Sequence, residues 1–182
     1  RGILKMYFNS FPSIPYDSVG DYNFKEVKNL LRRVAVRAKV KTNALMYDTY
    51  DVKEGETPEM IADKLYDNPE LHWVVLMVND ITDRYHQWPM GAGQFQNYLN
   101  DKYSDINATH HYEIAQSSGD TSVKIWIEND IDTSAYSGAT IVTNYEYELE
   151  EQDRKRKIRL LDPRFIDQFL QEFQTKMRES II

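Results

Sequence analysis

Two closely spaced helix-start signals in the middle of the chain constrain the fold most strongly. In the run Gly55-Glu56-Thr57-Pro58, Thr57 is a candidate N-cap and Pro58 takes the first helical position, where a missing N–H costs nothing. Glycine at position 55 permits a turn conformation that other residues adopt at a cost. Farther along, Asn68 caps and Pro69 opens a second helix. The sequence therefore predicts two helices joined by a short connection.

The two predicted helices differ in how much of their surface is apolar. The first has a single stripe, formed by Ile61, Ala62, Leu65 and Tyr66. The second, over residues 71–78, is apolar on nearly every side, which indicates burial or contact with another subunit. The pair Asn79-Asp80 is expected to end it.

The preceding segment changes its hydrophobic period. Apolar residues at helical spacing predict a short helix over residues 21–33. Alternation over residues 34–40 predicts a half-buried strand, and residues 45–52 predict a second strand after a turn at Thr42-Asn43. A β-hairpin leading into the two central helices is the expected result.

The C-terminal half is predicted to contain both strands and helices. Residues 111–115 and 123–127 alternate around a turn at 117–120, which predicts a hairpin. Residues 141–149 also alternate and are expected to pair with residues 157–161. Between them, residues 150–156 fit either a turn or a helix.

Two further helices complete the prediction. One covers residues 94–103, and the other starts at Asp162-Pro163. The fold class is therefore α+β, with an extended N-terminal arm around Pro12 and Pro15 and a C-terminal amphipathic helix. The stripe of that last helix consists of Phe165, Ile166, Phe169, Leu170, Phe173 and Met177.

Composition excludes several classes of function. The absence of cysteine excludes thiolate catalysis and zinc sites with Cys ligands. A net charge of -7 without a basic face argues against nucleic-acid binding, and the basic run at 154–157 compensates the acidic residues before it. No apolar run approaches the roughly 18–20 residues of a membrane span, and residues 1–5 are too short for a signal peptide. We expect synthesis in the cytoplasm, unless a leader preceded Arg1.

No catalytic, metal or cofactor site is predicted. The adjacent His110 and His111 should point to opposite faces of a strand, which prevents them from chelating one ion. His72 and His86 are expected to be packing residues. No carboxylate pair stands out as a glycosidase pair, so a hydrolase is not favoured.

A resemblance to a known family covers most of the chain. The pattern Tyr50-x-Val52-x-x-Gly55-Glu56-Thr57-Pro58-x-x-Ile61-Ala62, with Leu71 and Asn79, resembles the lysin motif (LysM). Its surroundings, from Leu65 to Asp80 with Tyr85 and Trp88, resemble the small baseplate wedge protein of contractile-tailed bacteriophages that carries a LysM-like core. The segments 11–17 and 157–165 are also similar to that family. After Asn79, however, the expected closing strand is poorly matched.

The resemblance implies a non-enzymatic structural protein of the virion tail baseplate. Its expected architecture is a LysM-like βααβ core over 47–80 within residues 21–103, an arm over 1–20, and a hairpin region with a helix over 104–182. Its expected partners are other baseplate wedge proteins and neighbouring wedges, with no membrane and no nucleic acid. The alternative is a module that binds peptidoglycan glycan, through a groove at Gly55, Glu56, Thr57, Asn79 and Asp80. The predicted interface candidates, which alternatively pack internally, are Tyr7, Phe8, Phe11, Tyr85, Trp88, Phe165, Phe169 and Phe173.

Overall fold

The structure is a computed structural model that describes residues 7–32, 34–36, 45–116, 123–131 and 136–179. The chain forms two compact units. The first, here called the discontinuous unit, contains residues up to Trp88 and from Lys157 onward. The second, the inserted unit, runs from Pro89 to Arg156. The predicted division of the chain into residues 1–20, 21–103 and 104–182 stays a prediction.

The described elements are short. The strands are β1 Ser13–Tyr16, β2 Lys25–Lys28, β3 Tyr47–Asp51, β4 Thr109–Ala115, β5 Lys124–Glu128, β6 Thr140–Thr143 and β7 Lys157–Leu161. The α-helices are α1 Pro58–Tyr66, α2 His72–Val78, α3 Arg84–Gln87, α4 Ala92–Lys102, α5 Asn144–Arg156 and α6 Ile166–Glu179. Single 3-10 turns occur at Tyr7–Ser10, Pro69–Leu71 and Pro163–Phe165. The α+β prediction is confirmed.

Both predicted central helices are present, with the predicted cap at Thr57 and with Asn68 capping the 3-10 turn before the second helix. Thr57 accepts a hydrogen bond from Met60 N at the start of α1, and Pro58 is its first residue. Asn68 accepts from Glu70 N and starts the turn that leads into α2. Gly55 has a φ of 72°, which confirms the need for glycine in that turn.

The strand that completes the central βααβ order comes from the far end of the chain. β3 pairs antiparallel with β7, from Tyr47 opposite Leu161 to Asp51 opposite Lys157. The whole inserted unit therefore lies in sequence between α2 and the strand that closes the arrangement. This explains why the residues after Asn79 do not match a closing strand. The assignment of this arrangement as LysM-like stays a prediction.

The hydrophobic core of the discontinuous unit surrounds α2. Four of the seven residues of α2 are buried, as its apolar composition predicts. β3, β7, α1 and α6 contribute the surrounding side chains. The buried cluster includes Phe11, Val52, Ile61, Ala62, Trp73, Val74, Val75, Val78, Trp88, Leu161, Leu170, Phe173 and Met177.

The predicted helix over residues 21–33 is wrong. β1 and β2 form a two-stranded antiparallel ribbon instead, with Ser13 opposite Lys28 and Tyr16 opposite Lys25. The carboxylate of Asp17 accepts hydrogen bonds from the backbone N–H groups of Val19, Gly20 and Tyr22 and thereby fixes the connecting turn. Local side-chain capping of the backbone competes with helix formation in this way.

The second strand of the hairpin predicted over residues 34–52 is present as β3. β3 lies within the predicted second strand, but its described partner is β7. Residues 34–36 are not in a strand, which corrects the start of the predicted first strand. Residues 37–44, with the predicted turn, lie outside the described residues.

The inserted unit contains a three-stranded sheet and two helices. The strand order is β5-β4-β6, with both pairs antiparallel, and α4 confirms the predicted helix over 94–103. The predicted hairpin of 111–115 and 123–127 is confirmed as β4 and β5, although its turn at 117–120 lies outside the described residues.

The prediction of a strand over residues 141–149 is wrong beyond Thr143. A capping box starts α5 there: Thr143 Oγ1 accepts from Glu146 N at 3.2 Å, and Glu146 Oε2 accepts from Thr143 N at 2.8 Å. Residues 150–156 are helical, and residues 157–161 pair with β3 rather than with 141–149. Among the described residues, no helix is both long enough and apolar enough to cross a membrane.

Candidate interaction surfaces

The predicted aromatic anchors near the N-terminus divide into one exposed and two packed residues. Phe11 is only 4% exposed and belongs to the core. The half-buried ring of Tyr7 lies 5.2 Å from Trp73 and 5.7 Å from Phe173, measured between ring centroids. Phe8 is 56% exposed. Removing the arm would therefore remove part of the core, and Phe8 is the residue that remains accessible to a partner.

Tyr85 and Trp88, both predicted as interface residues, have opposite environments. Trp88 is buried, and its indole N–H donates a hydrogen bond to the backbone oxygen of Glu56 at 2.9 Å. Tyr85 is 87% exposed on α3. Trp88 thus fixes the turn before α1, whereas Tyr85 presents its ring to solvent.

Several hydrogen bonds hold the backbone beneath Tyr85. Asp83 caps α3 by accepting from Tyr85 N at 2.9 Å. The side-chain oxygen of Gln87 accepts from the N–H groups of Thr82 and Asp83 at 2.8 and 2.9 Å. Arg84 forms an ion pair of 2.7 Å with Glu59 of α1. A preorganised backbone lowers the entropy lost when an exposed ring is bound.

The aromatic stripe of α6 mostly faces its own unit. Phe173 is buried and lies 4.7 Å from Trp73, measured between ring centroids, while Phe169 is half-buried at 6.2 Å from the same ring. Phe165, also half-buried, packs against the core. A groove of about 460 Å³ runs along this side of the helix and is lined by residues that include Val34, Met46, Met77, Phe165, Phe169 and Phe173.

The polar atoms of the proposed glycan groove are engaged within the fold. The buried carboxylate of Glu56 accepts from Tyr50 Oη at 2.8 Å and from Lys53 N at 3.2 Å, and it forms an ion pair with Lys64. Burial opposes ionisation, but these hydrogen bonds and the charge of Lys64 hold the pKa of Glu56 below its ordinary value. This carboxylate stabilises the turn that begins at Gly55.

Asn79 acts as a bridge to the closing strand. Its Nδ2 donates to the oxygens of Val75 and Arg159, both at 2.8 Å, and its Oδ1 accepts from Arg159 N at 2.8 Å. The next residue, Asp80, has a φ of 56° and completes the turn after α2. The amide of Asn79 thus bonds the backbone of β7 at Arg159 as a neighbouring strand would, and its hydrogen-bonding atoms serve the fold.

The sheet of the inserted unit has an apolar face that remains partly exposed. Because directly opposed residues share a face, Tyr112, Ile114 and Ile141 lie together with Ile125 and Ile127. Ile125 is 48% exposed and Ile141 is 59% exposed, whereas Ile127 is buried. No charged residue occupies these five positions.

The opposite face is mostly polar, although it includes the buried Val142 opposite His111, and it lies against α5. It carries the buried His111 and Glu113 beside Trp126, and Tyr147 of α5 contacts the rings of His111 and Trp126. The buried positions of α5 are also polar, namely Asn144, Glu148 and Gln152. An antiparallel sheet ordinarily packs its apolar face inward. In this unit the polar face is covered, which sequence periodicity alone does not reveal.

Each polar side chain of this stripe on α5 makes a hydrogen bond to a neighbouring segment, although Gln152 Nε2 is buried without a hydrogen-bond partner. Asn144 Nδ2 donates to Asp105 O at 2.9 Å, and Gln152 Oε1 accepts from Met90 N at 2.8 Å. Glu148 accepts from Lys102 Nζ at 2.5 Å and from Tyr103 Oη at 2.8 Å. Burial opposes the charge of Lys102, but its hydrogen bonds to Glu148, Tyr98 and Tyr103 raise its pKa. These contacts are structural, since each joins α5 to a neighbouring segment of the unit.

The prediction that His110 and His111 point apart is wrong. The register of β4 against β6 shifts between Thr109 and His111, which makes His110 an extra residue on the bulged strand. As a result the two Nδ1 atoms lie 2.9 Å apart. Across the described ranges, no group of three or more His, Cys, Asp or Glu residues is placed to hold a metal ion.

These features define an α+β protein with exposed apolar side chains and with buried polar groups that serve packing. Comparison of sequences identifies the family. The family model of Base plate wedge protein 53 matches residues 6–121, which is more than half of the chain. The chain belongs to this family.

A curated relative matches nearly the whole chain. It is the baseplate wedge protein gp53 of Enterobacteria phage T4, which is 24% identical over 184 aligned residues. The alignment covers 93% of this chain and 87% of the T4 protein. The chain is thus a structural component of a phage tail baseplate wedge, and the resemblance found in the sequence is confirmed.

Proposed function

We propose that this protein links wedge subunits, and neighbouring wedges, during baseplate assembly, through exposed apolar side chains and without catalysis. Family membership supports contact with other baseplate proteins. The main support for the linking role is the partly exposed apolar face of the sheet in the inserted unit. A sheet that covers its polar face and leaves isoleucines half exposed is arranged to bury them against a partner.

Tyr85 and Phe8 provide further contact points on the discontinuous unit. Aromatic anchors contribute a large share of binding energy in protein interfaces. The ribbon of β1 and β2 is a third contact surface, because a two-stranded ribbon is marginally stable alone. Its turn and flanks expose Val19 at 81%, Tyr22 at 86% and Leu31 at 92%.

The buried residues of the predicted interface set contribute indirectly in this proposal. Phe11, Trp88 and Phe173 hold the surfaces in place, since each packs inside the discontinuous unit. The half-buried Tyr7, Phe165 and Phe169 line grooves beside the core. They would contact a partner that inserts a side chain into those grooves.

The proposal of a non-enzymatic role is supported by the structural role of the buried glutamates. The buried carboxylates of Glu56, Glu113 and Glu148 are each paired with a partly exposed lysine. The net charge of -7 supports protein partners over nucleic acid. Synthesis in the host cytoplasm, followed by incorporation into the virion, belongs to the same proposal. No observation favours peptidoglycan binding through the groove at Gly55.

The test is incorporation of variants into wedges assembled from the other wedge proteins of the same phage. The double variant Ile125→Thr/Ile141→Thr keeps β-branched side chains in both strands while it removes apolar surface. We expect the variant to fold but to be incorporated at a clearly reduced level. The control is Leu149→Gln on α5, a partly exposed position of the same unit. Equal incorporation of the double variant and the wild type would contradict the proposed role of this face.

A further inference from the structure

We propose that His110 and His111 share a single proton between their Nδ1 atoms, so that in mild acid the folded inserted unit binds one proton fewer than the unfolded chain and loses stability. The bulge in β4 places the two rings side by side. Their Nδ1 atoms are 2.9 Å apart, which is a hydrogen-bond distance. Between two such nitrogens there is room for one proton.

The ring geometry supports a direct hydrogen bond over a shared metal ion. The ring centroids are 5.1 Å apart. This separation is close to the sum of the Nδ1–Nδ1 distance and the two distances from each nitrogen to the centre of its own ring. The two ring centres and the two Nδ1 atoms therefore lie nearly on one line. The two lone pairs therefore point at each other and do not converge on a third point where a metal ion would sit.

Aromatic neighbours fix both rings. His110 stacks on Tyr147 of α5 at 4.0 Å with an interplanar angle of 10°. His111 lies 4.0 Å from the ring of Trp126 on β5, also measured between centroids. His111 is only 3% exposed. Neither ring can turn its Nδ1 away without losing these contacts.

Only one of the two rings can be charged while the hydrogen bond between them is kept, because charging both would place two protons between the Nδ1 atoms. Glu113 Oε1 lies 3.5 Å from His111 Nε2, and the same carboxylate pairs with Lys124 of β5. A negative charge therefore lies on the His111 side of the pair. Burial and the charge of His111 lower the pKa of His110, with Glu148 and Lys102 acting in opposite directions.

The consequence for stability follows from proton linkage. In the unfolded chain both histidines bind a proton near pH 6.5. If His110 stays neutral in the folded protein, only the unfolded chain binds the additional proton. The equilibrium therefore shifts toward the unfolded state as the pH falls below about 6.5. Between pH 7 and pH 5 this one proton raises the unfolding constant by up to about 25-fold.

The test uses the full chain and two measurements. The first is the ¹⁵N chemical shift of the imidazole nitrogens by NMR, which reports the protonation of each histidine in the folded protein. We expect His110 to remain neutral at pH 5 while the inserted unit is folded. Both rings of the pair being charged in the folded protein would overturn the proposal.

The second measurement compares unfolding at pH 7 and pH 5, followed through the amide signals of α5. The variant His110→Asn keeps a donor near the Nδ1 position but cannot titrate. Between pH 7 and pH 5 the unfolding constant of this variant should rise by a smaller factor than that of the wild type. The two factors should differ by up to about 25-fold. The variant His86→Asn, at an exposed position outside the pair, is the control and should follow the wild type. Equal pH dependence of His110→Asn and the wild type would also overturn the proposal.

Discussion

The amide of Asn79 makes the hydrogen bonds to β7 that a neighbouring strand would otherwise make. Both its donor and its acceptor engage the backbone of Arg159, while the donor also contacts Val75 within its own helix. One side chain therefore connects the end of α2 to a strand that lies far away in sequence. This connection adds to the β3-β7 pairing and the shared core that join the two parts of the discontinuous unit.

We predict that Asn79→Ala lowers the free energy of unfolding of the discontinuous unit by about 1 kcal/mol, because three hydrogen bonds are lost while the freed Arg159 groups return to water. Urea unfolding followed by circular dichroism would measure the change. Asn100→Ala is the control, since Asn100 makes one exposed side-chain hydrogen bond within α4. A loss for Asn79→Ala no larger than that of the control would show that the bridge does not stabilise the unit.

Glu56 gives a pH-dependent prediction at the same scale. Because its folded pKa is depressed, its contribution is complete above the unfolded pKa of about 4.3 and is lost as the pH falls through the folded value. We predict that Glu56→Gln lowers the free energy of unfolding by about 2 kcal/mol at pH 7, with a smaller difference at pH 3. Unfolding at both pH values would measure this. The exposed Asp63→Asn on α1 is the control, and a loss that is independent of pH would contradict the role given to the charge.

Among the elements, α5 is a helix that the periodicity of apolar residues does not predict. Its buried positions carry polar side chains at a spacing of four residues, while Ile141, Thr143, Tyr145 and Tyr147 alternate with other residues as in a strand. Apolar periodicity therefore predicts a strand that continues past Thr143. The capping box at Thr143 and Glu146 was the available signal for the helix start.

We predict that Thr143→Ala lowers the stability of the inserted unit by about 1 kcal/mol, because the N-cap acceptor for Glu146 N is lost. Hydrogen exchange of the α5 amides would detect the change in the first turn. The control is Thr175→Ala within α6, where Thr175 only bonds back to Gln171 and alanine favours the helix. An unchanged exchange rate in the first turn of α5 would contradict the cap assignment.

Elements with local signals were predictable from the sequence, and elements defined by distant contacts were not. The caps at Thr57 and Asn68 located α1 and the turn that leads into α2. The partner of β3 was missed, because β7 follows the entire inserted unit and no local pattern reports such a pairing. Burial of Phe11 and exposure of Tyr85 likewise depend on tertiary packing, which residue type does not reveal.

At the scale of the whole molecule, the chain consists of the discontinuous unit and the inserted unit, which has its own sheet. The discontinuous unit exposes Tyr85 on α3, and the inserted unit exposes Ile125 and Ile141. The two sets of exposed side chains lie on different compact units. In the proposed function, these units would contact different neighbouring subunits.

We predict that Tyr85→Ala weakens binding to the wedge partner by about tenfold, because truncating an interface anchor costs at least about 1–2 kcal/mol. Titration of the partner followed by calorimetry would measure this. Tyr85→Phe keeps the ring and should retain most of the affinity. Unchanged affinity of the alanine variant would remove Tyr85 from the interface.

The most direct test of the central claim is size-exclusion chromatography with light scattering, on the purified protein with and without the other wedge proteins of its phage. A peptidoglycan pull-down would run in parallel. We predict co-elution with wedge proteins in a complex of defined mass, and no retention on peptidoglycan. Retention on peptidoglycan without any wedge complex would contradict this account and make the groove at Gly55 the working site.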